Sequence, residues 1–203
     1  MKKLFFLILS SILCFTSCSK EDNDSVIDDS KEFSHNGHAY VDLGLPSGTM
    51  WATCNVGANK PEDFGDYFAC GETKPKTNYD QDSFMGATYY YDIDDAARAN
   101  WGGLWRMPTW DELEELWKYC TWTWTSKNGV AGYKVSSNKN NNSIFLPAAG
   151  FYIGTNLIQK EGGFYWSSTY NLGNCANHIT FYSVEIQKST NGRWEGKSVR
   201  AVL

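Results

Sequence analysis

The clearest hydrophobic pattern in the chain predicts a short capped helix after Pro108. Thr109 and Glu112 fit the Ser/Thr-x-x-Glu capping box, in which each side chain accepts a hydrogen bond from an otherwise unpaired backbone N–H. Apolar residues then recur at the spacing of one helical face, at Leu113, Leu116, Trp117 and Cys120. Because so short a helix cannot bury these side chains alone, we expect it to lie against a β-sheet.

After Cys120 the pattern changes to the alternation that is typical of strands. Residues 121–125 alternate Thr with Trp, and Asn128-Gly129 is a strong hairpin-turn signal. Further strands are predicted at 132–136, 143–152, 162–170, 176–186 and 194–203, with polar loops at 171–174 and 188–192. Pro147 indicates an edge strand or a bend.

The region before the capped helix contains shorter signals. Strands are predicted at 38–43, 49–54 and 65–71, and a second short helix at 92–101 with Asp94 as its N-cap. Together these elements predict an α+β domain of twisted antiparallel sheets with two short helices and long irregular loops.

Residues 1–17 resemble the signal peptide of a bacterial lipoprotein. Lys2 and Lys3 precede an apolar segment at 4–15 that is too short to span a bilayer comfortably. The following residues, 15–18, read Phe-Thr-Ser-Cys and resemble a lipobox. The resemblance implies cleavage after Ser17 and lipidation of Cys18, whereas ordinary secretion would leave Cys18 as an unmodified thiol.

Residues 18–37 form an acidic, polar segment that we interpret as a flexible tether lipidated at Cys18. Its start, Ser19-Lys20-Glu21-Asp22, resembles the surface-export signal of lipoproteins in Bacteroidetes-type bacteria. This implies an outer-membrane lipoprotein exposed to the medium and held to the membrane by its lipid anchor; a solvated linker is the alternative. The domain would then occupy residues 38–203.

The composition excludes several classes of partner and chemistry. The net charge of −5, with no basic cluster, argues against nucleic-acid binding. No nucleophile elbow, His-Glu-x-x-His motif or phosphate-binding loop is present, so we predict neither an enzyme nor a cofactor. The cysteine spacings do not match a zinc site, and we predict no metal.

Four cysteines remain in the domain: Cys54, Cys70, Cys120 and Cys175. An even number in an exported chain suggests disulfides, with three possible pairings, against the alternative of free buried thiols.

Six segments of the domain together resemble the Fibrobacter succinogenes major paralogous domain, which is common in Bacteroides surface lipoproteins. They are residues 40–58, 65–73, 105–109, 145–150, 165–168 and 198–202. The resemblance implies a C-type-lectin-like fold related to formylglycine-generating-enzyme-like domains, with terminal strands that pair with each other. The catalytic cysteine pair of the latter is not carried over, since the cysteines here are expected to form disulfides.

The resemblance also suggests which cysteines pair. Cys54 and Cys120 match positions at which relatives carry Cys, which implies a Cys54–Cys120 disulfide and, as an extra bond, Cys70–Cys175. Cys70 departs from the pattern, because relatives carry Trp there. The calcium-binding motifs of sugar-binding C-type lectins are missing, so calcium-dependent binding is not expected.

The stretch after Trp166 is rich in Tyr, Asn and Trp, which are typical of adaptable binding surfaces. The candidate ligand-binding residues are Tyr170, Asn171, Asn174, His178, Arg193 and Trp194. We therefore predict a non-catalytic recognition module for a glycan or protein; a structural or adhesin component is the alternative, and an enzyme of formylglycine-generating-like fold a weaker one. Arg106 and Arg200, among apolar residues, are expected to be structural.

Overall fold

The computed structural model describes residues 33–86, 94–171 and 175–203. Within them the strands are β1 (Phe33–His35), β2 (His38–Asp42), β3 (Met50–Ala52), β4 (Cys120–Lys127), β5 (Val130–Ser137), β6 (Ser143–Pro147), β7 (Phe151–Ile153), β8 (Asn156–Ile158), β9 (Gly163–Tyr170), β10 (Cys175–Tyr182) and β11 (Glu185–Gly192), and the helices are α1 (Ala96–Trp101) and α2 (Trp110–Tyr119). The predicted signal peptide, Cys18 and most of the tether lie outside the described residues.

Four small antiparallel sheets contain all of these strands. Their strand orders are β1-β2-β3, β4-β5-β6, β7-β8 and β11-β10-β9. The predicted α+β class, with antiparallel sheets and two short helices, is confirmed for the described residues. Phe33–His35, which the sequence placed in the tether, instead form β1 and pair with β2.

Helix α2 begins with the predicted capping box, and both of its hydrogen bonds are present between Thr109 and Glu112. Leu113 and Leu116 are buried as expected, but Trp117 is 40% exposed and its predicted burial is wrong. The buried face of α2 includes Glu112 and is therefore rotated relative to the predicted face. Thr49 and Arg106 bind the Glu112 carboxylate and hold it towards the interior. Trp110 contributes the remaining apolar surface of this face.

The β4–β5 hairpin forms where the sequence predicts it. Asn128 and Gly129 both have positive φ, 49° and 84°, as the two-residue turn of a twisted hairpin requires. Strand β6 ends at Pro147 on the edge of this sheet, so the single strand predicted over 143–152 is divided into β6 and β7.

Other boundaries also differ from the prediction, and the single strand predicted over 176–186 is divided between β10 and β11. Residues 188–192 belong to β11, which pairs with β10 along its whole length, so the predicted loop is wrong. Polar side chains do not prevent pairing there, because β11 is an edge strand from which Lys188 and Thr190 are exposed to solvent. Helix α1 is capped by Asp95, whose side chain accepts from the Arg98 N–H, and not by Asp94.

The strand predicted over 194–203 is replaced by an extended segment that makes isolated bridges. Val202 bridges both Trp51 and Arg106, and Lys197 bridges Phe68 within the region predicted as the strand 65–71. The Met50 and Leu203 backbones exchange hydrogen bonds of 3.3 and 3.0 Å. The C-terminus therefore lies beside β3 near the start of the domain.

The buried Arg200 side chain holds this C-terminal segment in place. Its guanidinium donates to the carbonyls of Ala52, Thr53 and Phe145 at 3.0, 2.6 and 2.8 Å, and to Asn55 Oδ1 at 3.0 Å. The structural role expected for Arg200 is confirmed, and this one side chain links segments that are far apart in sequence.

Two hydrophobic clusters lie on opposite faces of the β9–β10 pair. The first contains the buried face of α2 and side chains from β4–β6, with Tyr165, Ile179 and Phe181 from β9 and β10. The second contains α1, Phe68 and Trp105, with Trp166 and Ala176 from the other face of the same strands. Alternation along β9 and β10 thus places neighbouring residues in different clusters.

Candidate functional site

The structure separates the six predicted ligand-binding residues into exposed and buried groups. Tyr170 ends β9 and is half-buried, Asn171 follows it and is exposed, and Trp194 is half-buried after β11. His178 and Arg193 are buried, at 0% and 2% exposure. Asn174 lies outside the described residues. The prediction that all six side chains share one exposed surface is therefore wrong for His178 and Arg193.

Arg193 is buried because the chain turns inward directly after β11. The Glu195 N–H donates to the Gly192 carbonyl at 3.2 Å, and this turn directs Arg193 towards Tyr170. Arg193 Nη2 donates to the Tyr170 hydroxyl at 2.8 Å and to the Cys70 carbonyl at 3.3 Å. Arg193 thus holds Tyr170 in position from the protein interior. Its own side chain is not exposed for contact with a ligand.

Aromatic rings enclose the same guanidinium. Its Cζ lies 4.4 Å from the Tyr170 ring centroid and 5.1 Å from that of Phe84. Cation–π contacts of a desolvated guanidinium are worth about 2 kcal/mol. Burial raises the pKa of Tyr170 to about 12, so its hydroxyl stays protonated at neutral pH. Arg193 therefore fixes two aromatic side chains at the surface in one arrangement.

A polar pocket of about 390 Å³ lies next to Tyr170. Its lining consists of Gly71, Glu72, Thr73, Lys74, Pro75, Lys76, Ser83, Met85 and Asp94. Gly71 connects the pocket to Tyr170: its φ is 88°, and a Cβ there would lie 2.7 Å from Arg193 Nη2 and 3.2 Å from the Tyr170 hydroxyl. Only glycine fits this position without displacing the guanidinium.

Charged side chains of both signs line the pocket. Lys76 Nζ donates to Glu72 Oε1 at 2.9 Å and to the Ser83 carbonyl at 3.1 Å, and the Met85 N–H also donates to Glu72, at 2.7 Å. Lys74 is exposed at the rim. We call the patch formed by Tyr170, Asn171 and this pocket the Tyr170 surface. The sequence does not predict these loop residues as part of a site, because residues 72–86 have no periodicity. The five charged residues in this stretch are its one signal.

His178 lies on β10 opposite Trp166 of β9 and is fully buried. Its ring centroid is 5.3 Å from that of Trp166 and 6.4 Å from that of Phe164. Burial, with a contribution from the positive charge of Lys197, lowers the pKa of His178 to about 2. A neutral imidazole in this position packs like an aromatic ring and is not accessible to a ligand.

Lys197 and Glu195 form a buried ion pair that no pattern in the sequence predicts. Lys197 is fully buried, and its Nζ lies 4.2 Å from the Trp166 ring centroid and 4.6 Å from that of Phe151. Burial lowers the pKa of Lys197 to about 8, although the Glu195 carboxylate opposes the shift. Lys197 lies in a segment whose sequence predicts an ordinary strand. Nothing in the neighbouring residues therefore predicts that this lysine is buried.

The predicted disulfides are not formed by the described cysteines. Cys54, Cys70 and Cys120 are free thiols, so the Cys54–Cys120 pairing is wrong, and Cys70 is not bonded to Cys175, whose side chain lies outside the described residues. Cys120 packs in the first hydrophobic cluster, whereas Cys54 lines a pocket of about 300 Å³ with His38 and Trp101. Burial raises the thiol pKa of Cys70 to about 12 and that of Cys120 to about 11, which makes both unreactive near neutral pH.

Among the described residues, no three His, Cys, Asp or Glu side chains lie together as a metal site would require. In the same part of the chain no helix is both long and apolar enough to cross a bilayer. In comparisons with protein-family models, curated proteins and solved structures, the chain matches none of them.

Proposed function

We propose that this protein is a non-catalytic recognition module that binds a glycan or protein ligand at the Tyr170 surface. The observation that carries the proposal is the bracing of Tyr170 by the buried Arg193 next to a polar pocket. A preorganised aromatic ring loses little conformational entropy on binding, and neighbouring Asn, Lys and Glu side chains supply hydrogen bonds that fix the ligand's orientation. Glycans and polar peptides both match this mixture of a ring face with donors and acceptors.

The proposal includes the C-type-lectin-like fold of the Fibrobacter major paralogous domain. Two features support it: the C-terminal segment pairs with β3 near the start of the domain, and the two short helices flank small antiparallel sheets. The ligand surface would then be built from the ends of β9 and β11 together with the irregular loop at 71–86. Fold alone does not confer sugar binding, so the ligand class depends on the surface.

The proposal also places the domain on the outer membrane, exposed to the medium. The motif at residues 15–18 and the acidic residues after Cys18 support an acyl anchor followed by a tether. Proteolytic shaving of intact cells should release the domain; protection while the outer membrane is intact would contradict this location.

A glycan array and a protein pull-down with the full chain test the binding site. Lys74→Ala and Tyr170→Ala should each lower ligand capture at least about tenfold, since one lost hydrogen bond or ring contact at a binding centre costs about 1.4 kcal/mol or more. Lys134→Ala on β5 is the matched control, because Lys134 is equally exposed and lies on a different sheet. Equal capture by Lys74→Ala, Tyr170→Ala and Lys134→Ala would contradict the proposed site.

A further inference from the structure

Strand β4 forms an edge of its sheet, because the sheet order is β4-β5-β6. It is eight residues long and pairs with β5 along its whole length. Within the described ranges, no backbone hydrogen bond joins residues 121–127 to any strand other than β5. The outer side of β4 therefore presents a row of backbone donors and acceptors to solvent.

The turn geometry identifies the residues of β4 whose backbone N–H and C=O groups point away from β5. In a hairpin with a two-residue loop, the residues that flank the loop, Lys127 and Val130, form a hydrogen-bonded pair. Counting back along β4, Thr125, Thr123 and Thr121 also bond to β5. The outward N–H and C=O groups therefore belong to Ser126, Trp124 and Trp122.

Lys127, at the hairpin end, is the one charged residue of β4, so the rest of this edge lacks the charges that usually protect an exposed strand. Residues 120–126 contain no charged residue, no proline and no glycine, and are rich in Thr and Trp, which favour strands. Another eight-residue edge strand, β11, carries Glu185 and Lys188. The two edges are equally long, so the difference lies in their side chains.

The sequence of β4 is also self-complementary. Residues 121–125 read Thr-Trp-Thr-Trp-Thr, which is a palindrome centred on Thr123. If two copies pair antiparallel about a two-fold axis at Thr123, Trp122 of one copy lies opposite Trp124 of the second copy. The backbone N–H and C=O groups of Trp122 and Trp124 point outward, so this register forms hydrogen bonds between the two chains at those positions. It places Thr123 of one copy opposite Thr123 of the second copy.

We propose that β4 is a homodimerisation edge, at which two copies of this chain join their sheets antiparallel about Thr123. Thr121, Thr123 and Thr125 are exposed and form cross-strand Thr–Thr pairs on the outer face, while Trp122 and Trp124 remain packed on Tyr133 beneath the joined sheet. The dimer is independent of the proposed ligand surface. It displays two Tyr170 surfaces, which would raise the avidity for a repeating ligand.

Charge substitution at the two-fold axis tests this register. Sedimentation equilibrium of the full chain in detergent should show a dimer for the wild type. Thr123→Lys and Thr123→Glu should each raise the dimer dissociation constant at least about tenfold, because they place like charges directly opposite each other. Mixing the two variants should restore a heterodimer, since opposite charges then face each other.

Thr190→Lys on β11 is the matched control, because Thr190 is an exposed threonine on another eight-residue edge strand. It should dimerise like the wild type. Melting curves followed by circular dichroism check that every variant is folded. A monomeric wild type, equal weakening by Thr190→Lys, or failure of the mixed variants to pair would overturn the proposal.

Discussion

The two hydrophobic clusters of this domain are held together by different physical means. The first, which we call the α2 half, joins regular elements through alternating or helically spaced apolar side chains such as Leu116, Ile179 and Phe181. The second, which we call the loop half, includes the segments 53–86 and 193–203, which make only isolated bridges. Buried cations bind carbonyl groups and aromatic rings there, where a sheet would otherwise supply the hydrogen bonds.

The difference shows how a domain with few strand residues in one half can still satisfy its buried backbone. In a sheet each carbonyl is paired by the neighbouring strand, so the side chains only need to be apolar. Where two segments cross without a ladder, Arg200 binds three carbonyls at once, and Arg193 binds a fourth, that of Cys70. Pairing of the buried carbonyls therefore depends on a few single side chains in the loop half. In the α2 half the same pairing is provided by many backbone groups of the sheets.

The largest expected loss of stability comes from a substitution in the loop half. Arg200→Ala leaves the carbonyls of Ala52, Thr53 and Phe145 buried without their donor, and should lower the free energy of unfolding by about 4 kcal/mol. Urea titration measures this loss. Arg200→Lys keeps the charge but cannot bind all of these groups, so it should recover only part of the stability. A loss below about 1 kcal/mol would contradict the role given to Arg200.

A somewhat smaller effect is expected in the α2 half. Leu116 is fully buried, and Leu116→Ala should lower the free energy of unfolding by about 3 kcal/mol through lost contacts and a partly relaxed cavity. Trp117→Ala is the matched control on the neighbouring position, which is 40% exposed, and should cost about 1 kcal/mol or less. If Trp117→Ala costs as much as Leu116→Ala, the helix face described here is wrong.

The same contrast explains how much could be predicted from the sequence. The capping box at Thr109, the turn at Asn128-Gly129 and the alternation in β4 depend on residues that are close in sequence, and all three are confirmed. The strand predicted at 194–203 failed because its partners, Phe68 and Trp51 among them, are distant and each contributes a single bridge. Local periodicity carries no information about such contacts.

The candidate site follows the same division. Tyr170 and Asn171 were predicted at a binding surface because Tyr and Asn are typical of such surfaces, and in the structure Tyr170 is half-buried and Asn171 is exposed. It misplaced Arg193 and His178, since the inward turn after β11 and the aromatic surroundings of His178 depend on tertiary packing. The same polar residue types occur in buried and in exposed positions. Composition alone therefore could not distinguish a residue that contacts a ligand at the surface from one that holds the structure together in the interior.

The smallest effect is a pH dependence that comes from His178, which is buried against Trp166 of the loop half. Its folded-state pKa is about 2, below its ordinary value of 6.5, so the unfolded chain binds a proton that the folded chain does not. The free energy of unfolding should therefore fall as the pH drops below 6.5, by up to about 1.4 kcal/mol per pH unit.

Replacing the imidazole isolates this contribution from those of other groups. His38, whose pKa is also lowered by burial, and Glu112, whose pKa of about 2 lies below its ordinary 4.5, both add losses of the same sign, the latter only below about pH 4.5. His178→Leu should flatten the decline between pH 6.5 and 4.5, as measured by urea titration across that range. An unchanged slope in His178→Leu would contradict this role, because it would mean that the imidazole binds its proton equally in the folded and the unfolded protein.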